Sequence, residues 1–316
     1  MHKKLIITGI AASALMLGTV QNVYAANEFK PKEEIFLQGA DLNEQQLEET
    51  KDKLGVGNNV TTYKVGSTDV VRYTGTEYDY IHSSALIKPK RFTSGVDVEI
   101  ETPENITRIT REQYMNAAIT AGIQDAVIKI ASIDPVSGEG ALTGIYKAYE
   151  AQGHTLNGQD IQNAHQEMNE LARISENHAQ SDAFSDEALN EAIADMKAQI
   201  ADAKTSNQQI NDITINNIVI QTLNEKGLNQ ILNDSEIAMI QNMMKNVANS
   251  DVINQDPDAF KKQAQDLMKQ IQSDAGDKLD ALKKLDTEEN RNALQKLWDA
   301  IVAIFIKLWH WLTSFL

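Results

Sequence analysis

The feature that most constrains the fold is a change of residue pattern near residue 156. Before it, short β-branched runs alternate with helical segments, and in "GVDVEIE" at 95–101 apolar positions alternate strictly with acidic ones. After it, Pro257 is the single proline, and apolar residues recur every three to four positions. The period of two predicts a half-buried strand, and the longer period predicts amphipathic helices. We therefore predict an α+β or α/β N-terminal domain, a small sheet with packed helices, followed by an all-α region.

The sequence pattern divides the chain into four segments. They are a signal peptide at 1–25, the α/β domain at 26–155, a helical region at 156–290 and an amphipathic hydrophobic helix at 291–316. Asp41 with Glu44, and Thr110 with Gln113, have the spacing of capping boxes, which begin helices. The predicted strands cover 59–65, 69–73, 84–88, 95–101 and 125–132, and later helices cover 208–226, 235–248 and 257–285.

Residues 1–25 have the pattern of a secretory signal peptide. A basic start, an apolar stretch at 5–20 and the small residues Val23 and Ala25 precede a cleavage site. We expect the chain to be exported and to be extracellular or associated with the cell surface. The sequence has no cysteine, which excludes thiol catalysis and is typical of proteins exported by Gram-positive bacteria.

The strongly acidic composition limits the kinds of partner that the protein can bind. The formal net charge is −16 and becomes −18 once Lys3 and Lys4 leave with the signal peptide. Binding to nucleic acid depends on Lys and Arg contacts with phosphates. We therefore expect no nucleic-acid partner.

The last residues, 298–316, form a segment of a different character that contains all three tryptophans. A narrow polar stripe with Lys307 at its centre interrupts an otherwise apolar helix. A lysine at the bilayer centre costs roughly 2.5–3.5 kcal/mol, and each large apolar residue returns only about 0.3–0.6 kcal/mol. Packing within the protein or an oligomer, contact with a membrane interface and a true span therefore all stay open. The residues expected to contact a membrane or protein partner are Trp298, Ile301, Val302, Phe305, Trp309, Trp311, Leu312 and Phe315.

A glycine-rich turn between a strand-like run and a helix raises the question of phosphate binding. In "PVSGEGALTG", Pro135 precedes Gly138, Gly140 and Gly144, in the order of parts used by nucleotide-binding loops. Export, the carboxylate of Glu139 inside the turn and the lack of a following βαβ pattern oppose that reading. We expect a structural turn that permits close approach, with no cofactor.

Signatures of catalysis are missing: the chain has no HExxH, GxSxG or SxxK pattern. The weak catalytic candidates are His82, Ser84 and Glu139, because a histidine and a serine two residues apart on a strand point to the same face. His165 and Glu167, like His154 and Asp160, lack metal-ligand spacing and are expected at the surface. No metal site is predicted.

Several stretches of the sequence also resemble those of a known protein family. "PVSGEGALTGIYKAYEAQG" at 135–153, preceded by "TPENITRIT" and "QYMNAAITAGIQDAVIKIAS" and followed by "NAHQEMNELARISE", resembles the exported YpuA-like proteins of Gram-positive bacteria. They are catalogued as the domain-of-unknown-function 1002 family. The resemblance implies an exported or envelope-associated protein and assigns no activity, cofactor or site residue.

We expect a non-enzymatic cell-envelope or interaction protein, membrane-associated through its C-terminal helix. The alternative is an exported hydrolase acting on peptide or wall polymer.

Overall fold

The computed structural model describes residues 31–91, 94–153, 157–206 and 208–283. The strands are β1 Ile35–Gly39, β2 Thr61–Val65, β3 Ser84–Pro89, β4 Val96–Ile100 and β5 Ala126–Ala131. The helices are α1 Glu44–Leu54, α2 Ser67–Thr74, α3 Arg111–Thr120, α4 Glu139–Ala151, α5 Gly158–Asn177, α6 Asp186–Thr205, α7 Asp212–Glu225, α8 Asp234–Asn249, α9 Asp251–Gln255 and α10 Pro257–Lys283, with a 3₁₀ turn at Leu228–Gln230. The prediction of a small sheet with packed helices, followed by a mostly helical region, is confirmed.

The five strands form one mixed sheet in the order β2-β1-β3-β5-β4. β1 is parallel to β2, β4 is parallel to β5, and β3 runs antiparallel to both β1 and β5. The strands β1, β2, β4 and β5 therefore all end at the same side of the sheet, where β3 begins. We call this side the carboxyl edge.

Capping side chains set where two of the N-terminal helices begin. Thr110 caps α3 in a capping box with Gln113, as predicted. At α1 the predicted pair was wrong: Asn43 accepts from the backbone of Gln46, and the side chain of Gln46 accepts from the backbone of Asn43. Because asparagine is as strong an N-cap as aspartate, the box formed two residues further along.

The strand predicted at 69–73 was also wrong, because these residues belong to α2. The backbone N–H of Gly66 donates to the carboxylate of Asp69, which closes the first turn of the helix. Val70 and Tyr73, three residues apart, face the core. A local cap and helical burial thus outweigh the β propensity of the two valines.

One continuous group of buried apolar side chains extends from the sheet through α2, α3 and α4 into α5, α6, α7, α8 and α10. On the opposite face of the sheet, α1 covers a smaller group: Phe36, Leu54, Leu86 and Ala131.

α10 lies beside β4, one of the two edge strands of the sheet. Gln270 of α10 donates to Asp97 at 2.9 Å, and Asp274 pairs with Arg111, whose Nε donates to the carbonyl of Val98. The C-terminal half of the chain therefore closes one side of the sheet. Among the described residues, no helix is long and apolar enough to cross a membrane.

Candidate functional site

The carboxyl edge gathers the three weak catalytic candidates, His82, Ser84 and Glu139. The loops after β4 and β5 and the segment before β3 all meet there. Loops at the ends of parallel strands are the usual location of ligand sites in open sheets that carry helices. This edge is therefore the candidate site.

The glycine-rich turn at this edge is packed against the protein's own atoms. Gly138 adopts a φ of 111°, and a side chain there would collide with the hydroxyl of Tyr114, which donates to the Gly138 carbonyl at 2.6 Å. A Cβ on Gly140 would lie 2.8 Å from Oγ of Ser83, and one on Gly144 would lie 3.0 Å from the side chain of Val65. These glycines let α4 approach the sheet closely. Pro135 precedes them and is exposed, and the following residue, Val136, pairs with Ile106 of the loop after β4.

Glu139, the first residue of α4, is at the centre of this edge. Its side chain is buried, with 3% of the residue exposed, and its carboxylate is paired with Arg108. It also accepts from the hydroxyl of Ser137. Burial, together with the carboxylate of Glu139, raises the pKa of Tyr78 to about 12. Glu139 therefore joins the loop after β4, the turn after β5 and the segment before β3.

Arg108 extends these contacts to α5. Its guanidinium donates to Oδ1 of Asn169 at 2.6 Å and to Glu176 at 2.9 Å. The amide of Asn169 lies 2.8 Å from Nε2 of His165. Sequence reasoning missed Arg108 and Asn169. The one signal available was an arginine shortly before a buried helix, and arginine pairs with carboxylates in bidentate or branched geometry.

The expected surface location of His165 and Glu167 was wrong. The two residues are 6% and 1% exposed, respectively. Burial lowers the pKa of His165, and Glu167 pairs with the equally buried Lys197. Asp160 is buried as well. His154 lies outside the described residues.

His82 and Ser84 also lie at the carboxyl edge, each with its own partners. Nδ1 of His82 is 2.8 Å from Oδ2 of Asp134, a close contact without hydrogen-bond geometry. Oγ of Ser84 accepts from the Gly39 amide at 3.0 Å and donates to the carbonyl of His82 at 3.4 Å. The structure thus brings the three catalytic candidates to one edge and gives the side chains of His82, Ser84 and Glu139 different partners.

Two further sets of predicted residues concern other parts of the chain. Within the residues that the structure describes, no group of three or more His, Asp or Glu side chains could hold a metal ion. The signal peptide at 1–25 and the predicted contact residues in 298–316 lie outside the described residues.

One protein family and one known protein match most of the chain. The family model described as "Protein of unknown function (DUF1002)" matches residues 38–267. A protein of Bacillus subtilis (strain 168), "Uncharacterized protein YpuA", is 28% identical over 323 aligned positions, which cover 96% of this chain and 99% of that protein. No solved structure matches the chain. The resemblance predicted from the sequence is thereby confirmed.

Proposed function

The chain belongs to the DUF1002 family, and from that premise we propose that it is an exported, non-enzymatic protein of the cell envelope. It acts by contact, and residues 298–316 hold it to a membrane surface. The observation that carries the proposal is the concentration of all three tryptophans in this one apolar segment. Tryptophan favours the membrane interface, where its ring is buried and its N–H stays hydrated.

The charge of residues 298–316 indicates that hydrophobic contact, and not electrostatic attraction, would attach them to a membrane. Asp299 and Lys307 cancel, so the segment brings no net attraction to anionic lipid, and the acidic body would be repelled by it. A helix lying in the interface buries its apolar face and leaves Lys307 at the headgroups. Attachment should therefore occur on zwitterionic vesicles and persist at high salt.

Intrinsic fluorescence tests this directly, because every tryptophan of the chain lies between residues 298 and 311. Adding zwitterionic vesicles to the mature chain should shift the tryptophan emission to the blue and should carry the protein into the vesicle pellet. A chain ending at residue 290 should stay in the supernatant. Tyr80→Ala, which removes an exposed aromatic side chain from the folded body, is the matched control and should pellet like the wild type. Unchanged emission, or equal pelleting of the shortened chain, would refute the proposal.

A second candidate is an exported hydrolase acting on peptide or wall polymer. It is favoured by the contact between His82 and Asp134, since a carboxylate close to a histidine ring is part of many general-base arrangements. Labelled casein and labelled cell wall should release no dye when incubated with the protein if the first proposal holds. Release that disappears in His82→Gln would favour the hydrolase instead.

A further inference from the structure

Three side chains form a hydrogen-bonded row between α5 and the carboxyl edge. Arg108 donates to Oδ1 of Asn169, and the amide nitrogen of Asn169 lies 2.8 Å from Nε2 of His165. Arg108 is in turn paired with Glu139 and Glu176. The row therefore ties α5 to the loop after β4 and to the start of α4.

The chemistry of these groups fixes the protonation of the histidine. A guanidinium can only donate, so the amide of Asn169 must turn its oxygen to Arg108 and its NH₂ to the ring. Nε2 of His165 is then the acceptor, and in the neutral ring the proton sits on Nδ1. Nδ1 is buried and has no hydrogen-bond partner among the described residues.

A charged His165 cannot be accommodated in this row. Protonation would place an N–H on Nε2 opposite the NH₂ of Asn169, so two donors would face each other. Turning the amide by half a rotation would relieve the ring but would direct the NH₂ at Arg108, which is again a contact between two donors. Either the histidine stays neutral or the contact between Arg108 and Asn169 breaks.

The surroundings of His165 reinforce the neutral state. Burial holds the pKa of His165 below its ordinary value of 6.5, Arg108 lowers it further, and Glu139 opposes them. Several charged groups on the other elements packed against α5 form pairs of their own: Asp69–Lys147, Arg72–Glu150, Arg111–Asp274, Lys197–Glu167 and His178–Glu236.

We propose that His165, Asn169 and Arg108 form a proton-responsive latch between α5 and the carboxyl edge, which opens when His165 takes up a proton. The unfolded chain binds this proton near pH 6.5, whereas the folded chain resists it, so the stability from the closed latch is complete above about pH 6.5 and is lost as the pH falls below it. The unfolding equilibrium changes by at most about tenfold per pH unit for one such proton. The latch operates in the folded body and does not depend on membrane attachment.

Ring nitrogen NMR of the mature chain and hydrogen exchange at about pH 7.5 and about pH 5 test the latch. The neutral His165 ring should carry its proton on Nδ1. On acidification, exchange corrected for its intrinsic rate should increase in α5 and in the loop that contains Arg108. His165→Gln, whose amide oxygen can accept from Asn169 without titrating, should lose most of this acid response. His82→Gln, outside the latch, should keep it.

Asn169→Asp separates a proton switch from a merely structural contact. A carboxylate accepts from both Arg108 and a protonated ring, so in this variant acidification should tighten α5 instead of loosening it. Three results would each overturn the proposal. They are a proton on Nε2 in the neutral wild type, an acid response in His165→Gln as large as in the wild type, and an acid response in Asn169→Asp with the same direction as in the wild type.

Discussion

Replacing Lys197 by methionine tests how strongly one ion pair holds α3, α5 and α6 together. Lys197 is fully buried, and its ammonium group donates to Glu167 at 2.6 Å and to the backbone and side-chain oxygens of Asn116 at 2.8 and 3.3 Å. Glu167 also accepts from the hydroxyl of Thr120 at 2.7 Å. The three ammonium donors are therefore all used.

The expected loss of stability arises because the replacement leaves a buried charge without its partner. Methionine roughly preserves the shape of Lys197 but leaves the carboxylate of Glu167 with one hydrogen bond and no cation. Removing one partner of a buried pair costs about 3–5 kcal/mol, out of a total stability of about 5–15 kcal/mol for a typical domain. The double replacement Lys197→Met with Glu167→Leu strands no charge and should regain most of the loss, since the Thr120 hydroxyl can return to a carbonyl of its own helix.

Urea unfolding followed by circular dichroism gives the free energies, because helices make up most of the secondary structure of the described residues. Lys245→Met is the matched control: it breaks a pair with the exposed Asp212 and should cost less than about 1 kcal/mol. The reasoning fails if Lys197→Met costs no more than this control. It fails equally if the double-mutant cycle gives a coupling between Lys197 and Glu167 below about 1 kcal/mol.

Three further replacements test other parts of the structure. Gly144→Ala should destabilise the fold by about 1–3 kcal/mol in the same urea assay, because the new methyl would crowd β1 and β2, and an unchanged stability would show that α4 can shift. Glu139→Gln should cost about 1–3 kcal/mol by weakening its pair with Arg108, and thermal melting that matches the wild type would contradict its central position. Burial, opposed by backbone donors and aided by Asp251, raises the pKa of Asp160 to about 6, so the folded state resists its charge. Asp160→Asn should therefore stabilise the protein at neutral pH, and that gain should shrink as the pH falls below about 6, where the wild-type carboxyl is protonated.

Periodicity and caps predicted the regular elements well where one local signal dominated. The alternation at 95–101 gave β4, and the capping box at Thr110 gave α3. The error at 69–73 arose because two adjacent valines favour a strand, whereas the local cap between Gly66 and Asp69 and the burial of Val70 in the tertiary structure favour a helix. β1 was not predicted, since "IFLQG" is buried on both faces and shows no alternation.

The site was less predictable than the fold. Glu139 and His82 were found because each stands beside an unusual local pattern, a glycine-rich turn or a serine pair. Their partners were not: Arg108 and Asn169 are 61 residues apart and meet only when α5 packs beside the loop after β4. The burial of His165 was missed because it depends on the elements that pack against α5, whereas its hydrogen-bond partner Asn169 lies on the same helix.

The course of α10 beside β4 also bears on self-association. An uncovered edge strand offers free N–H and C=O groups to any other chain with an extended segment, and this is a common route to aggregation. α10 occupies the space beside β4, where Gln270 donates to Asp97. The helical region therefore protects this edge of the sheet from pairing with an extended segment of another chain.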